Sequence, residues 1–404
     1  MTDGADGTPW RAEPVIEWLF HKGRKLPGSE RMLDALCRQV VAAGLPLDRV
    51  GVFLTTLHPL YFGFRLGWTP EAGIEVARAT HQQRHSLEVT TSPVLAVMKG
   101  NRLIRRRLDA AEAELDYSIL AELKAEGFTD YLVVPLEFGN GARNALTLAT
   151  RRPGGFSGHD MAELEKLLHV FTLLLENDVN QTIARTILDT YIGPATGRRV
   201  LEGQIARGDG SRLDAVIWCS DLRESTRLSE ELPDEAFLDL LNDYFEVTAG
   251  AWLAQGGEVL KFIGDAALGV IPVADGDGEG MSPAAACARA LAAAREALAR
   301  AAEVNAARTA AGKTAFRFGV GLHRGAVMYG NIGVPTRLDF TVTGSAINHA
   351  VRVEGLCKPL GRTVVATEAV ARHQPEAWAA LGSRILRGAA QPVAVFGLAR
   401  DEAK

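Results

Sequence analysis

The chain has 404 residues, of which 23% are charged and 47% hydrophobic, and its net charge is −5 at pH 7. This length predicts two or three domains, and the ordinary composition indicates a soluble globular protein. The acidic balance excludes a global basic field, so we expect no nucleic-acid partner. The sequence contains neither an apolar run of the roughly 18 residues that a membrane helix needs nor a signal peptide. Its four cysteines are widely spaced, which fits a reducing compartment. We therefore expect a cytoplasmic protein without a membrane span.

The first part of the chain, residues 1–156, has the pattern of a small α/β domain. Apolar periodicity predicts helices at 13–20 and 30–43, strands within 49–64, and a hairpin of 131–138 with 145–149. This order resembles a GAF-like or PAS-like sensor domain, which implies a small-molecule or protein signal of unknown identity. A closed cavity would favour a ligand, and an exposed apolar patch would favour a partner-binding module. His81 and His85 are an alternative metal or haem pair, at a spacing that also arises by chance.

The next part, residues 157–212, is predicted to be a helical linker that transmits a signal between domains. Ser157 and Asp160 fit a capping box at the start of a long helix. Apolar residues then recur every three or four positions: Leu164, Leu168, Phe171, Leu175, Val179, Ile183 and Ile187. This stripe either pairs with a second copy of the chain or packs, in its first half, on the N-terminal domain. Gly193-Pro194 and the stretch 208–210 are predicted breaks.

Two aspartates stand at strand ends in the last part of the chain, residues 213–404. An apolar strand at 213–220 stops at Asp221, and a strand at 257–263 leads into the Gly264-Asp265 turn before another strand at 266–272. A helix at 233–254 lies between them. If the strands are neighbours, the two carboxylates converge, and paired carboxylates are ligands that Mg²⁺ prefers. The alternative is that Asp221 only caps a helix.

The remaining elements complete the predicted fold of this part. We expect helices at 281–307 and 345–356, separated by strands at 316–322 and 326–332 around His323-Arg-Gly325 and by a strand at 339–343. Strands at 363–366 and 392–398 follow, and 275–280 is an acidic loop. This order predicts an α/β sandwich with a mostly antiparallel central sheet.

Several motifs in this part resemble the class III adenylyl/guanylyl cyclase catalytic domain. They are Val216-Ile-Trp-Cys-Ser-Asp221-Leu-Arg-Glu-Ser-Thr226, Val259-Leu-Lys-Phe-Ile-Gly-Asp-Ala266, Gly319-Val-Gly-Leu-His-Arg-Gly325, Tyr329-Gly-Asn-Ile-Gly333, and Asp339-Phe-Thr-Val-Thr-Gly-Ser-Ala-Ile-Asn348 with Arg352. The resemblance implies an α/β (α+β), ferredoxin-like catalytic domain at 213–404. It also implies an adenylate cyclase, which converts ATP to 3′,5′-cyclic AMP and pyrophosphate under the control of the N-terminal domain.

The resemblance assigns a role to each matching residue. Asp221 and Asp265 correspond to the ligands of two Mg²⁺ (or Mn²⁺) ions, Lys261 and Thr341 to the adenine-binding pair, and Asn348 and Arg352 to the pair that acts on ribose and the transition state. The loop that wraps the phosphates is Leu222, Arg223, Glu224, Ser225 and Thr226. In the family one subunit supplies the aspartates and its partner supplies the other four residues, which implies a homodimer with shared sites.

The sequence departs from the family pattern at two places. Glu224-Ser225 replaces Gly-Phe, and Ser345 replaces an Asp; Arg387 is a candidate contact for the terminal phosphate. Neither change removes a role-bearing residue. An alternative function is a catalytically weak nucleotide-binding regulator or a partner-binding module built on a cyclase fold, although all six role-bearing positions are kept. The stretch Gly256-Gly-Glu258 superficially resembles a diguanylate cyclase hairpin, but the rest of that signature is absent.

Overall fold

The chain folds into two compact units, Met1–Thr190 and Tyr191–Lys404. The structure is a computed structural model that describes residues 9–86, 91–100, 102–274, 281–386 and 391–399. The expected acidic loop at 275–280 and the candidate Arg387 lie outside the described residues, as does most of the N-terminal tail. Among the described residues no helix has the length and apolar character needed to cross a membrane.

The N-terminal unit is a six-stranded antiparallel sheet with helices on both faces. Its helices are α1 Ala12–His21, α2 Ser29–Ala42, α3 Pro93–Met98, α4 Ser118–Ala125 and α5 Gly158–Ile192. Its strands are β1 Arg49–Thr55, β2 Tyr61–Thr69, β3 Gly73–Thr80, β4 Ile104–Arg107, β5 Asp130–Glu137 and β6 Arg143–Thr150, in the spatial order β3-β2-β1-β6-β5-β4. The expected helices and hairpin are present, whereas α3, β3, β4 and α4 were not expected.

The long helix α5 belongs largely to the core of this unit. Ser157 and Asp160 form the expected capping box, since the Asp160 carboxylate accepts hydrogen bonds from the Ser157 N–H and hydroxyl and the Asp160 N–H donates to the Ser157 Oγ. The first half of the apolar stripe is buried against α2 and the sheet, down to Val179. Ile187, near the end of the helix, is exposed. The first half of the stripe therefore packs on the N-terminal domain, which was one of its two expected arrangements.

The C-terminal unit is built on an eight-stranded sheet. Its helices are α6 Pro194–Leu201, α7 Ser225–Glu231, α8 Asp234–Ala254, α9 Pro283–Ala310, α10 Ser345–Glu354, α11 Cys357–Leu360 and α12 Glu368–Ala371. Its strands are β7 Gly210–Leu222, β8 Glu258–Ile263, β9 Ala266–Val273, β10 Phe318–Val334, β11 Arg337–Thr343, β12 Val364–Thr367, β13 Trp378–Arg384 and β14 Val393–Leu398.

The order of these elements defines the fold class of this unit. The sheet order is β13-β14-β12-β10-β7-β9-β8, with β11 paired to the distal part of β10, and only β10 and β12 run parallel. The succession β7-α8-β8-β9-α9-β10 is the β-α-β-β-α-β order of ferredoxin-like folds. The predicted α/β fold with a mostly antiparallel sheet is therefore confirmed.

The central strand β7 is buried on both faces, which explains its continuous apolar run. Val216 and Trp218 face α8 and α9, whereas Ala215 and Ile217 face α10. Because the sheet is covered on both sides, Asp221 at its carboxyl end is held on a rigid element.

Strand β10 differs from the expectation, because it runs unbroken through His323-Arg-Gly325. The polar side chains find partners without leaving the sheet: His323 Nδ1 is 2.9 Å from Thr367 Oγ1, and Arg324 Nη2 is 2.6 Å from Asp214 Oδ2. Gly325 allows α10 to approach, since a Cβ there would lie 2.9 Å from the Ala346 Cβ. These polar side chains, which were expected to separate two strands, therefore contact the neighbouring strands β12 and β7 from one continuous strand.

Candidate functional site

Two carboxylates meet where β7 ends beside the β8–β9 hairpin. Asp221 pairs with Ala266 across β7 and β9, and the Leu222 N–H donates to the Asp265 carbonyl at 3.3 Å. The direct neighbour of β7 is thus β9, and Asp265 reaches Asp221 because it stands in the hairpin turn. Gly264, the other turn residue, has φ +63°, a conformation that glycine adopts without steric cost. The structure therefore brings the two expected aspartates together.

The closeness of these carboxylates changes the acidity of Asp221. Burial raises the pKa of Asp221 to about 6, and the charge of Asp265 and a hydrogen bond to its side chain act in the same direction, while Arg223 acts against them. The Asp221 side chain is 36% exposed, so a ligand from solvent can reach it. Excess negative charge in one accessible place favours a bound cation.

The donor set fits a magnesium or manganese ion. Mg²⁺ typically binds one or two carboxylates, and water and substrate phosphates fill its other positions. Asp221 and Asp265 supply that number of hard oxygen ligands. Across the described parts of the chain, no group of three or more His, Cys, Asp or Glu side chains is arranged to hold a metal alone. His81 instead contacts the His58 carbonyl, at 3.0 Å.

Arg223 follows the first aspartate and lies between two carboxylates. Its Nη1 is 3.9 Å from Asp221 Oδ2, and its Nη2 is 2.7 Å from Glu354 Oε1. Burial raises the pKa of Glu354 to about 7, and the Arg223 guanidinium opposes this rise. The sequence analysis did not identify Glu354. An acidic residue on the face of α10 that packs on the sheet could have indicated a buried partner such as Arg223.

Glu224, next in the loop, is the one non-glycine residue with positive φ in the described chain, at φ +59°. Arg227 and Arg317 hold its carboxylate, with N–O distances of 2.6 Å and 3.1 Å. The left-handed backbone explains why glycine suits this position, and the two arginines help to hold a glutamate there. The loop residues Ser225 and Thr226 open helix α7.

Lys261, on β8, and Thr341, on β11, belong to the same unit but to strands that are not paired with each other. Lys261 Nζ donates to Asp339 Oδ2 at 2.9 Å, and Asp339 and Thr341 share one face of β11 because side chains alternate along a strand. The Thr341 hydroxyl is buried and has no hydrogen-bond partner within the described residues. An unpaired buried hydroxyl is costly, so this one is available to a ligand. Asp339 is a second residue that sequence reasoning missed.

Asn348 and Arg352 stand one turn apart on α10. They line a groove of about 630 Å³ together with His323, His349 and Thr367. Neither Asp221 nor Asp265 lines this groove. The structure therefore places Asn348 and Arg352 together, in a groove that the aspartate pair does not line.

Residues 211–382 match the adenylate and guanylate cyclase catalytic domain family, a span that runs from β7 into β13. The C-terminal unit is therefore a class III cyclase catalytic domain, as its motifs predicted.

Two relatives of this chain are named adenylate cyclase. An adenylate cyclase of Anabaena cylindrica is 31% identical over 52% of this chain and 38% of its own length. Adenylate cyclase 1 of Rhizobium meliloti (strain 1021) is 30% identical over 39% of this chain and 23% of its own length. The chain thus spans less than half the length of either relative. A solved structure of the guanylyl cyclase Cya2 is 28% identical, with a TM-score of 0.41 over 47% of this chain and 93% of that chain.

Proposed function

We propose that this chain is an adenylate cyclase, which converts ATP to 3′,5′-cyclic AMP and pyrophosphate. The observation that carries the proposal is the pair of adjacent carboxylates, Asp221 and Asp265, within a domain that matches the cyclase family. Two relatives named adenylate cyclase support ATP as the substrate.

The reaction needs the ribose 3′-hydroxyl to attack the α-phosphate in line with the departing pyrophosphate. Two divalent cations held by Asp221 and Asp265 would supply Lewis acidity at the hydroxyl and at the α-phosphate. Arg352 presents guanidinium donors to the negative charge that develops in the transition state, and Asn348, one turn earlier, orients the ribose. The loop 222–226, with the Arg223 guanidinium beside Asp221, binds the phosphates.

The choice of ATP over GTP is assigned to Lys261 and Thr341. An ammonium donor and a hydroxyl match the acceptor N1 and the donor N6 of adenine, whereas guanine presents a donor and a carbonyl at the same edge. The unpartnered, buried Thr341 hydroxyl supports this assignment, because a bound base would satisfy it.

The active unit in this proposal is a homodimer with two shared sites. Asp221 and Asp265 come from one chain, and Lys261, Thr341, Asn348 and Arg352 come from its partner. Exposed apolar side chains next to these residues support an interface: Phe262 and Ile263 follow Lys261, and Val351 precedes Arg352. Such side chains are typical of an association surface when they cluster.

The N-terminal unit is proposed to regulate the catalytic unit, with the segment 157–212 as the transmitting linker. A cavity of about 170 Å³ opens on the face of its sheet that carries Gly51 and Gly67. Arg49, Arg65 and Tyr131 are among its lining residues. A pocket with a few polar groups supports a small-molecule signal.

The test of catalysis is an assay of the full chain with ATP or GTP and with Mg²⁺ or Mn²⁺, following both cyclic nucleotide and pyrophosphate. We expect cyclic AMP from ATP, no appreciable product from GTP, and loss of turnover in Asp221→Ala and Asp265→Ala. Glu235→Ala, which removes an exposed carboxylate from the first turn of α8, is the matched control and should retain activity. Near-normal turnover in either aspartate variant with an unchanged melting curve would contradict the proposal.

The test of shared sites is complementation between two inactive chains. Asp265→Ala and Arg352→Ala proteins are mixed and allowed to exchange subunits. Each mixed dimer then contains one intact site and one doubly damaged site, so about half of the wild-type activity per dimer should return. If mass measurements show exchange and the mixture stays inactive, the residues act within one chain.

A further inference from the structure

Arg223 is held between a carboxylate assigned to metal binding and a second, buried carboxylate. Its side chain is 18% exposed, and its Nη2 lies 2.7 Å from Glu354 Oε1, against 3.9 Å from its Nη1 to Asp221 Oδ2. Its contact with Oε1 is an ion pair, and the same Nη2 donates a hydrogen bond to the Glu354 carbonyl at 3.4 Å. Glu354 therefore has the closer contact with Arg223, through both its side chain and its backbone.

The space for this pair is made by two glycines of β10. A Cβ at Gly319 would lie 1.8 Å from Arg223 Nη2 and 2.5 Å from Glu354 Oε1. A Cβ at Gly321 would lie 2.4 Å from both the Ala350 carbonyl oxygen and the Glu354 nitrogen. At Gly321 a side chain would collide with the backbone of α10, whereas at Gly319 it would displace the Arg223 guanidinium and the Glu354 carboxylate from their present positions. The Gly319-Val-Gly321 motif thus lets the guanidinium and the end of α10 lie directly on the sheet.

This placement has an electrostatic consequence for the aspartate pair. The field of a positive charge about 4 Å from a carboxylate is weakly screened near a protein surface, so a guanidinium competes with a bound cation. Without Glu354, the remaining ion-pair partner of Arg223 among the described residues would be Asp221. A buried carboxylate that draws the guanidinium away leaves Asp221 free for a metal ion.

We propose that Glu354 is a positioning residue, which holds Arg223 against Gly319 and thereby keeps Asp221 available to the divalent cation. The inference rests on the proposed function, since it takes Asp221 and Asp265 as metal ligands. Glu354 itself does not touch the metal, and its effect on metal affinity passes through Arg223.

The test is a double-mutant cycle read out as Mn²⁺ affinity. Full-chain protein without nucleotide is titrated with Mn²⁺ at pH 8 in a calorimeter, for wild type, Glu354→Gln, Arg223→Met and the double variant. Glu354→Gln should weaken Mn²⁺ binding about tenfold, because the released guanidinium pairs with Asp221. Arg223→Met should bind at least as tightly as wild type, and the double variant should match Arg223→Met. This non-additivity is what coupling through Arg223 requires.

Three results separate the possible failures. Equal weakening by Glu354→Gln with and without Arg223 would overturn the inference, since Glu354 would then act by its charge or by packing alone. No weakening in either background would overturn it as well. Wild-type Mn²⁺ binding that is unchanged by Asp265→Ala would instead overturn the proposed metal site, and the inference with it.

Two further measurements keep the test valid if Glu354→Gln folds poorly. Glu354→Asp keeps the charge and shortens the reach by one methylene, so it should also weaken Mn²⁺ binding only when Arg223 is present. In the activity assay, the metal concentration for half-maximal rate should rise about tenfold in Glu354→Gln, and in the double variant it should match that of Arg223→Met. A fall in kcat at saturating metal with no change in metal dependence would indicate a merely structural role and overturn the inference.

Discussion

The acidity of Asp221 predicts that a substitution which abolishes metal binding also stabilises the metal-free catalytic unit. The pKa of Asp221 is about 6 in the folded protein, against 3.8 for the free side chain. A raised folded-state pKa contributes stability that is complete below pH 3.8 and is lost as the pH rises through about 6. Above that range the ionised carboxylate opposes folding, and an asparagine in its place does not.

The size of the effect follows from the same two pKa values. Their difference corresponds to about 3 kcal/mol for a group removed from water. Because the Asp221 side chain is 36% exposed, solvent screening reduces this figure, and we expect about 1 kcal/mol. Asp221→Asn should therefore unfold at higher urea than wild type at pH 8 in EDTA, and the gain should vanish near pH 4.

The assay is urea denaturation followed by pulsed hydrogen exchange of β7 and β9 peptides, which reports the catalytic unit alone. Saturating Mg²⁺ should stabilise wild type and leave Asp221→Asn unchanged, because only a ligand that binds the folded state shifts the equilibrium. Asp214→Asn, on the same strand but ion-paired with Arg324 at 2.6 Å, is the control and should lose stability. The reasoning would be refuted if Asp221→Asn were no more stable than wild type at pH 8, or if it were more stable by the same amount at every pH.

Three other variants test the loop, the sheet and the base pocket. Glu224→Gly should be about 1 kcal/mol more stable than Glu224→Ala in chemical denaturation, because only glycine relieves the φ of +59°; equal stabilities would contradict the strain. Gly321→Ala should cost about 1–3 kcal/mol and lower kcat, since its Cβ would push α10 away from β10; a wild-type melting curve would refute the close packing. Lys261→Glu with Thr341→Cys should weaken ATP use and admit GTP, measured as kcat/KM for each nucleotide; unchanged ATP turnover would remove these residues from base recognition.

Local patterns along the chain were enough to predict most of the strands, helices and turns near the site. The apolar run before Asp221 predicted a strand, and β7 is that strand, buried on both faces. The Gly264-Asp265 pair predicted a tight hairpin turn, and Ser157 with Asp160 predicted the start of α5. These signals are local, because turn conformation, capping and periodicity depend on residues only a few positions apart.

The positions of the role-bearing residues came from the family motifs, read in order along the chain. The match of residues 211–382 to the cyclase catalytic domain confirms the family that these motifs indicated. The individual roles stay predictions, and the variants above are their tests.

The contacts between distant segments became visible in the three-dimensional fold. The sequence left open whether the apolar stripe that starts at Leu164 packs on its own domain. The side chains down to Val179 are buried in that domain, so the first half of the stripe does. The sequence pattern also predicted two separate strands around His323. In the structure β10 is one strand, and the His323 side chain contacts Thr367 on the neighbouring strand β12. Glu354 resembled an ordinary helix carboxylate until the fold placed it on Arg223, 131 positions away in sequence. Such contacts depend on sheet order and on the space left by glycines, and neither is encoded in the periodicity of one segment.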